Sequence, residues 1–235
     1  MSKVHVKLFP FDPESPEHFT RMVDQRTECG WSFDLIPAWQ KYQRSGLKCI
    51  YWIRTFPEGI SKPAIRRENA STNLIQEKEP LYDTATSIRA VARTPPATAF
   101  HPVGHISLDT DNPPTRRLHL PIPEDNVYWI KSLFVSYALQ GAGIGRAAMD
   151  EVEASAARAP LCARVLMLDT VAKEDQHREE LLAQLPGKPP AMSTQEWYAR
   201  RGYRLIHKEL DFYPDLDKDG KPLGRSTVFM RKDLD

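Results

Sequence analysis

The sequence predicts an α/β fold built around one central strand–helix–strand crossover, and three observations support this. The chain has 235 residues and a hydrophobic fraction of 41%, which is enough for one sizeable core. Residues 127–136, 145–159 and 163–170 have the patterns of a strand, a helix and a second strand. Strand patterns precede this unit, and a helix with two strands follows it. The order of elements is therefore βαα, further strands, βαβ and αββ, which is typical of α/β proteins.

Four elements are predicted near the N-terminus: a strand at 4–11, helices at 15–29 and 33–46, and a strand at 47–56. The first strand alternates apolar and polar residues and is ended by prolines, so we expect it at a sheet edge. Ser15 is expected to cap the first helix, with Pro16 in its first turn, and Gly46 to end the second. The residues expected on one face of the second helix are Leu35, Trp39 and Tyr42.

The middle of the chain is rich in proline. Residues 57–123 hold 10 of the 20 prolines, so most of this region is not expected to form regular structure. Two strand patterns are embedded in it, at 86–93 and 102–109.

The C-terminal half has the densest pattern. The strand at 127–136 is expected to be buried on both faces. The helix at 145–159 carries an apolar stripe of Ala148, Met149, Val152 and Ala156. Further elements are predicted as a short amphipathic helix at 174–185, a helix at 193–203, and strands at 203–213 and 226–234. Ser193 and Glu196 form the capping-box pattern that begins the helix at 193–203.

Composition excludes several classes of protein. The net charge is +1, which gives no electrostatic footprint for nucleic acid, and no apolar run reaches the roughly 20 residues of a membrane helix. The three cysteines lack metal-ligand spacing, so reduced thiols and a cytoplasmic location are expected, with the nucleus left open. No metal site is predicted. The acidic turn at 215–220 begins like a calcium loop, but Ser226 stands where that loop needs glutamate.

A glycine-rich loop, which we define as residues 140–146, joins the central strand to the following helix. Glycines at 141, 143 and 145 would let an anion approach the free backbone N–H groups at the helix start. Arg146 adds a positive charge that the helix dipole alone would not favour there. A phosphate or pyrophosphate ligand is therefore predicted.

Two other interpretations of this loop remain open from the residues alone. The glycines could serve a tight packing turn. Alternatively, Gly143, Gly145 and Ala148 fit the dinucleotide pattern G-x-G-x-x-A, and Asp169 stands where a ribose-binding acid is wanted. Against a dinucleotide fold, the segment between Val135 and Gly143 is long, and no second βαβ half follows.

Residues 133–150, LFVSYALQGAGIGRAAMD, resemble the coenzyme A signature of the GNAT superfamily of N-acetyltransferases. In that signature a strand ends in Val and leads, after four residues, to Gln or Arg and then Gly-x-Gly-x-Gly. The matching positions are Val135, Gln140, Gly141, Gly143, Ile144 and Gly145. A later family motif, Tyr four residues before Gly-Tyr, is matched by Tyr198, Gly202 and Tyr203. The element order agrees from residue 4 to 234, so the resemblance spans the chain.

The resemblance implies one N-acetyltransferase domain over residues 1–235. Its sheet would be mixed, mostly antiparallel, splayed at a central strand and flanked by helices. A Pro-rich insertion at about 57–101 and an extra segment at about 173–192 would frame the opening for the acceptor, because specificity usually resides in loops. The acceptor would be a small-molecule or peptide amine, with no nucleic acid or membrane partner. The oligomeric state is left open.

The resemblance also implies which residues bind acetyl-CoA, the co-substrate. The backbone near Leu133, Phe134 and Val135 would bond its pantetheine arm. The residues implied around its pyrophosphate are Gln140, Gly141, Ala142, Gly143, Ile144, Gly145 and Arg146. Tyr198 would act as the general acid that protonates the departing thiolate, since reference pKa values of phenol and thiol, near 10 and 8.5, are close.

The general base is not identified. Some family members carry Glu early in the central strand, where Trp129 stands here. Glu124, Asp125, His105 and water remain candidates. The alternatives to an acetyltransferase are a non-catalytic acyl-CoA-binding module, which Trp129 favours, and a nicotinamide-dependent oxidoreductase.

Overall fold

The computed structural model describes residues 4–56, 79–179, 192–213, 216 and 220–234. Parts of four expectations lie outside these residues: the insertion at 57–101, the helix at 174–185, the segment at 173–192 and the acidic turn at 215–220.

Eleven strands are formed within the described residues. Their bounds are β1 Val6–Pro10, β2 Ile50–Thr55, β3 Leu81–Tyr82, β4 Ser87–Ile88, β5 Val91–Ala92, β6 Ala99–Phe100, β7 Gly104–Asp109, β8 Val127–Val135, β9 Val165–Val171, β10 Arg204–Leu210 and β11 Ser226–Asp233. Seven of them are hydrogen-bonded in the order β1-β2-β7-β8-β9-β11-β10. The pairs β1–β2, β2–β7, β9–β11 and β10–β11 are antiparallel, whereas β8–β9 is parallel.

Five α-helices are formed in the same residues: α1 Pro16–Cys29, α2 Ile36–Ser45, α3 Ile144–Ala157, α4 Lys173–Gln176 and α5 Thr194–Ala199. Ser15 caps α1 as predicted, because its side chain accepts a hydrogen bond from the His18 N–H at 3.2 Å. Gly46 ends α2 with φ of 77°, a left-handed conformation that glycine adopts without strain.

The chain divides into two compact units by the density of its contacts. The first comprises residues 1–111 and 130–158, and the second comprises residues 112–129 and 159–235. Strand β8 belongs to both, because the division falls between Trp129 and Ile130. The single domain over 1–235 stays a prediction.

In the first unit, α1 and α2 supply a core that packs on β1 and β2. Its largest fully buried members include Trp52, Phe9 and Phe11, and Met22 of α1 is sealed among them. On α3 the buried residues include the predicted stripe, Ala148, Met149, Val152 and Ala156.

In the second unit, a smaller core gathers around Phe229 of β11. The buried residues of this core are Trp129, Val165, Met167, Phe212 and Phe229. Phe212 and Trp129 both meet the Phe229 ring edge to face, with centroids 4.9 and 6.5 Å away.

The central strand is irregular. Its parallel pairing with β9 covers only Val127 to Trp129, opposite Val165 to Met167. Ser132 then has φ of 54°, which interrupts the extended backbone of β8. The predicted α/β class is confirmed, with a mostly antiparallel sheet that contains one parallel pair and is flanked by helices.

Three local expectations are wrong or incomplete. Residues 86–93 form a hairpin of β4 and β5 rather than one strand, because Arg89 and Ala90 turn the chain with positive φ. The buried face of α2 is Ile36, Trp39 and Gln43, while Leu35 and Tyr42 are exposed. Strand β8 is buried at only four positions, Trp129, Ile130, Phe134 and Val135.

Candidate functional site

The glycine-rich loop leads from β8 to α3 in the first unit. A 3₁₀ turn at Tyr137–Leu139 follows β8, and α3 begins at Ile144. Gly141 and Gly143 have φ of 83° and 85°, so their backbone conformations favour glycine.

The loop presents a row of backbone donors. The first bond into α3 runs from the Ala147 N–H to the Gly143 carbonyl, at 3.0 Å. Within the described residues, no acceptor takes the N–H groups of Gly141, Ala142, Gly143, Ile144, Gly145 and Arg146. Free N–H groups at the start of a helix attract anions, and α3 is long enough to contribute its dipole.

Gly145 differs from its two neighbouring glycines because its own φ does not require glycine. A Cβ built there would meet only Val135 Cγ2, at 4.0 Å, which is an ordinary contact. The fold therefore does not need a glycine at this position. This fits the expectation that an external group lies against the backbone there.

Three contacts that the sequence did not predict hold the loop and the end of β8. Glu28 of α1 accepts hydrogen bonds on Oε1 from the Ser136 hydroxyl and the Tyr137 N–H, both at 3.0 Å. Gln140 donates from Nε2 to the Val135 carbonyl at 3.0 Å. The sequence around Glu28 does not indicate this role, because the partners of Glu28 lie more than a hundred residues away in the chain.

Gly104 of β7 sets how closely β7 and β8 approach. A Cβ at this position would lie 2.1 Å from the Phe134 carbonyl oxygen, which is far inside contact distance. A glycine inside a strand pattern is a sign of such close approach, so this signal was present in the sequence. The close approach at Gly104 fixes the backbone of the segment from Leu133 to Val135.

Tyr198 lies on α5 in the second unit and is half-buried. Its ring meets Trp197 at 4.9 Å and Tyr203 at 5.9 Å between centroids. The predicted capping box is present, since Ser193 accepts from the Glu196 N–H and Glu196 accepts from the Ser193 N–H.

Polar contacts hold the start of α5. The hydroxyls of Thr194 and Thr170 lie 2.7 Å apart. The Thr194 N–H donates to Gln176 Oε1 at 2.8 Å. The Lys173 N–H likewise donates to Gln195 Oε1 at 2.8 Å.

The candidates for the general base differ in environment. His105 is fully buried, and burial, with Arg26 and Lys48 nearby, holds its pKa well below the usual value. Its Nδ1 lies 2.8 Å from Gln25 Oε1, so this buried ring is poorly placed to meet a substrate. Glu124 and Asp125 lie on an exposed segment before β8.

Trp129 stands where some members of the GNAT superfamily are expected to carry Glu. It is 3% exposed and belongs to the core around Phe229, so it has a packing role.

The dinucleotide interpretation does not fit the fold. A doubly wound fold needs several parallel strands, and four of the pairs in this sheet are antiparallel. The Asp169 carboxylate, which would bind the ribose in a dinucleotide fold, already has partners within the protein. Its Oδ2 accepts hydrogen bonds from the Tyr213 hydroxyl at 3.1 Å and from Asn112 Nδ2 at 3.2 Å.

The part of the chain that the structure describes holds neither a candidate metal site nor a candidate membrane span. No cluster of three or more His, Cys, Asp or Glu side chains there could hold a metal ion. Among the helices described, none has both the length and the apolar character that crossing a bilayer requires.

Comparison with known proteins agrees with this geometry. The family model described as acetyltransferase (GNAT) family matches residues 70–185, which include the glycine-rich loop but not Tyr198. No curated protein matches the sequence.

Solved structures resemble the whole chain. The structure of Arabidopsis thaliana NAA60 in complex with a bisubstrate analogue is 12% identical, has a TM-score of 0.54, and is matched over 98% of this chain and 99% of that chain. The same protein in complex with acetyl-CoA is 12% identical, with a TM-score of 0.51 and coverage of 97% and 98%. A spermidine N-acetyltransferase chimera from Vibrio cholerae and hSSAT is 10% identical, with a TM-score of 0.51 and coverage of 97% and 95%. At these identities the likeness shows the fold alone, and the family match shows a GNAT acetyltransferase domain over residues 70–185.

Proposed function

We propose that the chain transfers an acetyl group from acetyl-CoA to a primary amine by direct attack in a ternary complex. The observation that carries this proposal is the row of six backbone N–H groups from Gly141 to Arg146 for which the described residues supply no acceptor. A diphosphate has several anionic oxygens and can use such a row of donors. The exposed Arg146 adds charge beside it.

The pantetheine arm of acetyl-CoA is proposed to bond the backbone near Leu133, Phe134 and Val135. These residues follow the last β8–β9 pair, at Trp129, and Gly104 fixes their path. Backbone donors and acceptors suit pantetheine because that arm contains two amide groups.

The proposed reaction forms one bond and breaks one. The nitrogen of the neutral amine attacks the thioester carbonyl carbon, and collapse of the tetrahedral intermediate breaks the carbon–sulfur bond. Tyr198 donates its phenolic proton to the departing thiolate, while water or an unidentified base removes the proton from the amine nitrogen.

Thermal unfolding with acetyl-CoA, CoA, NAD⁺ and NADPH in parallel tests the site. A ligand present at 100 times its dissociation constant should add about 2.7 kcal/mol to the free energy of unfolding. We expect a rise with acetyl-CoA and CoA alone. A rise only with a nicotinamide dinucleotide would refute the proposal.

A non-catalytic acyl-CoA-binding module is the second candidate, because the buried Trp129 replaces an acid found in some relatives. Amine-dependent release of free thiol from acetyl-CoA separates the two. We expect turnover that falls in Tyr198→Phe with CoA affinity unchanged. Binding of acetyl-CoA with no thiol release over a broad amine panel would favour the module.

A further inference from the structure

Arg26, near the C-terminal end of α1, is a buried cation without an acidic partner. The residue is 5% exposed. Its Nε donates to the Trp31 carbonyl at 2.7 Å, and its guanidinium lies 5.3 Å from the centre of the Trp39 ring. No carboxylate in the described part of the chain forms an ion pair with it.

Two neighbours of Arg26, Cys29 and Tyr137, could carry a negative charge only if they lost a proton. Burial raises the pKa of the Cys29 thiol, and burial raises the pKa of the Tyr137 hydroxyl to about 12. Both neighbours are therefore neutral near pH 7, whereas arginine keeps its proton. Among the residues that the structure describes, the guanidinium therefore has no counter-charge.

Two other basic residues of this unit that have little exposure are paired with carboxylates. Lys48 is 6% exposed and donates to Asp109 at 2.8 Å. Arg93 forms two hydrogen bonds with Asp83, at 2.6 and 2.8 Å. Since a buried charge without a counter-charge is costly, Arg26 calls for an anion beyond the described residues.

The terminal amino groups of Arg26 remain accessible. The side-chain atoms that are both sealed from solvent and unpartnered in the described residues are Arg89 Nη1, His105 Nε2 and Asp109 Oδ1. Nη1 and Nη2 of Arg26 have no hydrogen-bond acceptor among the described residues and are not in that group, so neither atom is completely sealed from solvent. A planar guanidinium with two free amino groups matches a carboxylate in geometry and charge.

The surroundings of Arg26 relate it to the reaction, because its guanidinium lies within electrostatic reach of Tyr137. Two residues further along α1, Glu28 bonds Ser136 and Tyr137, which directly follow the segment proposed to hold pantetheine. The pyrophosphate has its own donors in the glycine-rich loop, so the anion at Arg26 has another source. We propose that Arg26 binds a carboxylate of the amine acceptor, which makes the acceptor class amino acids and their close analogues. This inference rests on the proposed function.

Acceptor selectivity is the first test. Each of a panel of amino acids is compared with the amine that lacks its carboxylate, and kcat/KM is measured for wild type, Arg26→Met and Arg26→Lys. We expect wild type to prefer the carboxylate-bearing partner at least tenfold, Arg26→Met to lose that preference, and Arg26→Lys to keep part of it. Arg54→Met is the matched control, because Arg54 also lies over a ring, that of Phe56 at 5.4 Å.

Binding without turnover is the second test. Thermal unfolding is followed with N-acetyl amino acids and with the corresponding amides, in the absence of CoA. We expect the acids alone to stabilise wild type and Arg54→Met, and neither ligand to stabilise Arg26→Met. The Arg26→Met variant should fold in the absence of ligand, because the substitution replaces a buried charge by an apolar side chain.

The outcomes separate this inference from the proposed function. Acid-specific stabilisation that needs Arg26, without any acetyl transfer, would keep the carboxylate site and remove the acetyltransferase proposal. Acetyl transfer with equal kcat/KM for both members of each pair would overturn the carboxylate site alone. A loss of CoA affinity in Arg26→Met, with acceptor preference unchanged, would assign the anion to the co-substrate and also overturn it.

Discussion

Replacing Gly145 by alanine should affect stability and ligand binding in opposite directions. Gly145 is the second residue of α3, and a Cβ there meets only Val135 Cγ2 at 4.0 Å. Alanine is favoured over glycine in helices by about 0.5–1 kcal/mol, so the free protein should become more stable by up to that amount. The same methyl group would lie where a phosphate oxygen is proposed to approach the backbone.

The loss of one hydrogen bond to a charged group costs about 1.5–3 kcal/mol. At about 1.4 kcal/mol for each factor of ten, this corresponds to a roughly 10- to 150-fold weaker affinity for CoA. Urea unfolding of the free protein and calorimetric titration with CoA measure the two effects separately. Ser155→Ala is the matched control, because Ser155 is exposed near the C-terminal end of α3 and away from the loop. It should stabilise the protein without changing CoA affinity, and unchanged affinity in Gly145→Ala would refute the pyrophosphate assignment.

Three further predictions follow from contacts in the first unit. Gly104→Ala should destabilise the protein by about 3 kcal/mol in urea unfolding, because its Cβ would clash with the Phe134 backbone, and a loss under 1 kcal/mol would contradict this. Glu28→Gln should raise the KM for acetyl-CoA more than it lowers kcat, since Glu28 holds the turn before the loop, and an unchanged KM would argue against that role. Burial lowers the pKa of His18 and His105, so the stability that they contribute as neutral rings is present above the unfolded pKa of about 6.5 and declines as the pH falls below it. Unfolding free energies measured at pH 7.5 and 5.5 should show that decline, and equal values would contradict it.

Local chemistry was sufficient to predict much of the fold. The Ser15 cap, the glycine stop at Gly46 and the capping box at Ser193 each depend on neighbours within a few residues, and each forms as expected. The α3 stripe was predictable for the same reason, because its period is that of the helix itself.

The features that were missed depend on contacts distant in sequence or on unusual backbone angles. The hairpin at 86–93 turns at Arg89 and Ala90, which have positive φ. Neither is a glycine, so the sequence does not indicate a turn there. Ser132 likewise has positive φ within β8, and nothing in the sequence indicates this irregularity. The buried face of α2 was misjudged because Gln43, a polar residue, is sealed by hydrogen bonds to Phe11 and Ile50.

The same distinction applies to the site. The glycine-rich loop is contiguous, so its row of donors could be predicted from the chain order alone. Glu28 could not, because its partners Ser136 and Tyr137 become neighbours only after folding. The unpaired state of Arg26 likewise becomes evident only once the surroundings of the side chain are known.

The short helix α5 positions Tyr198 mainly through directional hydrogen bonds and less through apolar packing. Six residues do not make a stable helix alone, and its start is held by hydrogen bonds among Thr170, Gln176 and Thr194. Such bonds weaken steeply when their angles change, whereas apolar contacts tolerate rotation. The orientation of the Tyr198 hydroxyl is therefore controlled by hydroxyl and amide groups at the start of α5. Under the proposed role of Tyr198 as general acid, substitutions of Thr170 or Gln176 should lower kcat while the apolar core stays intact.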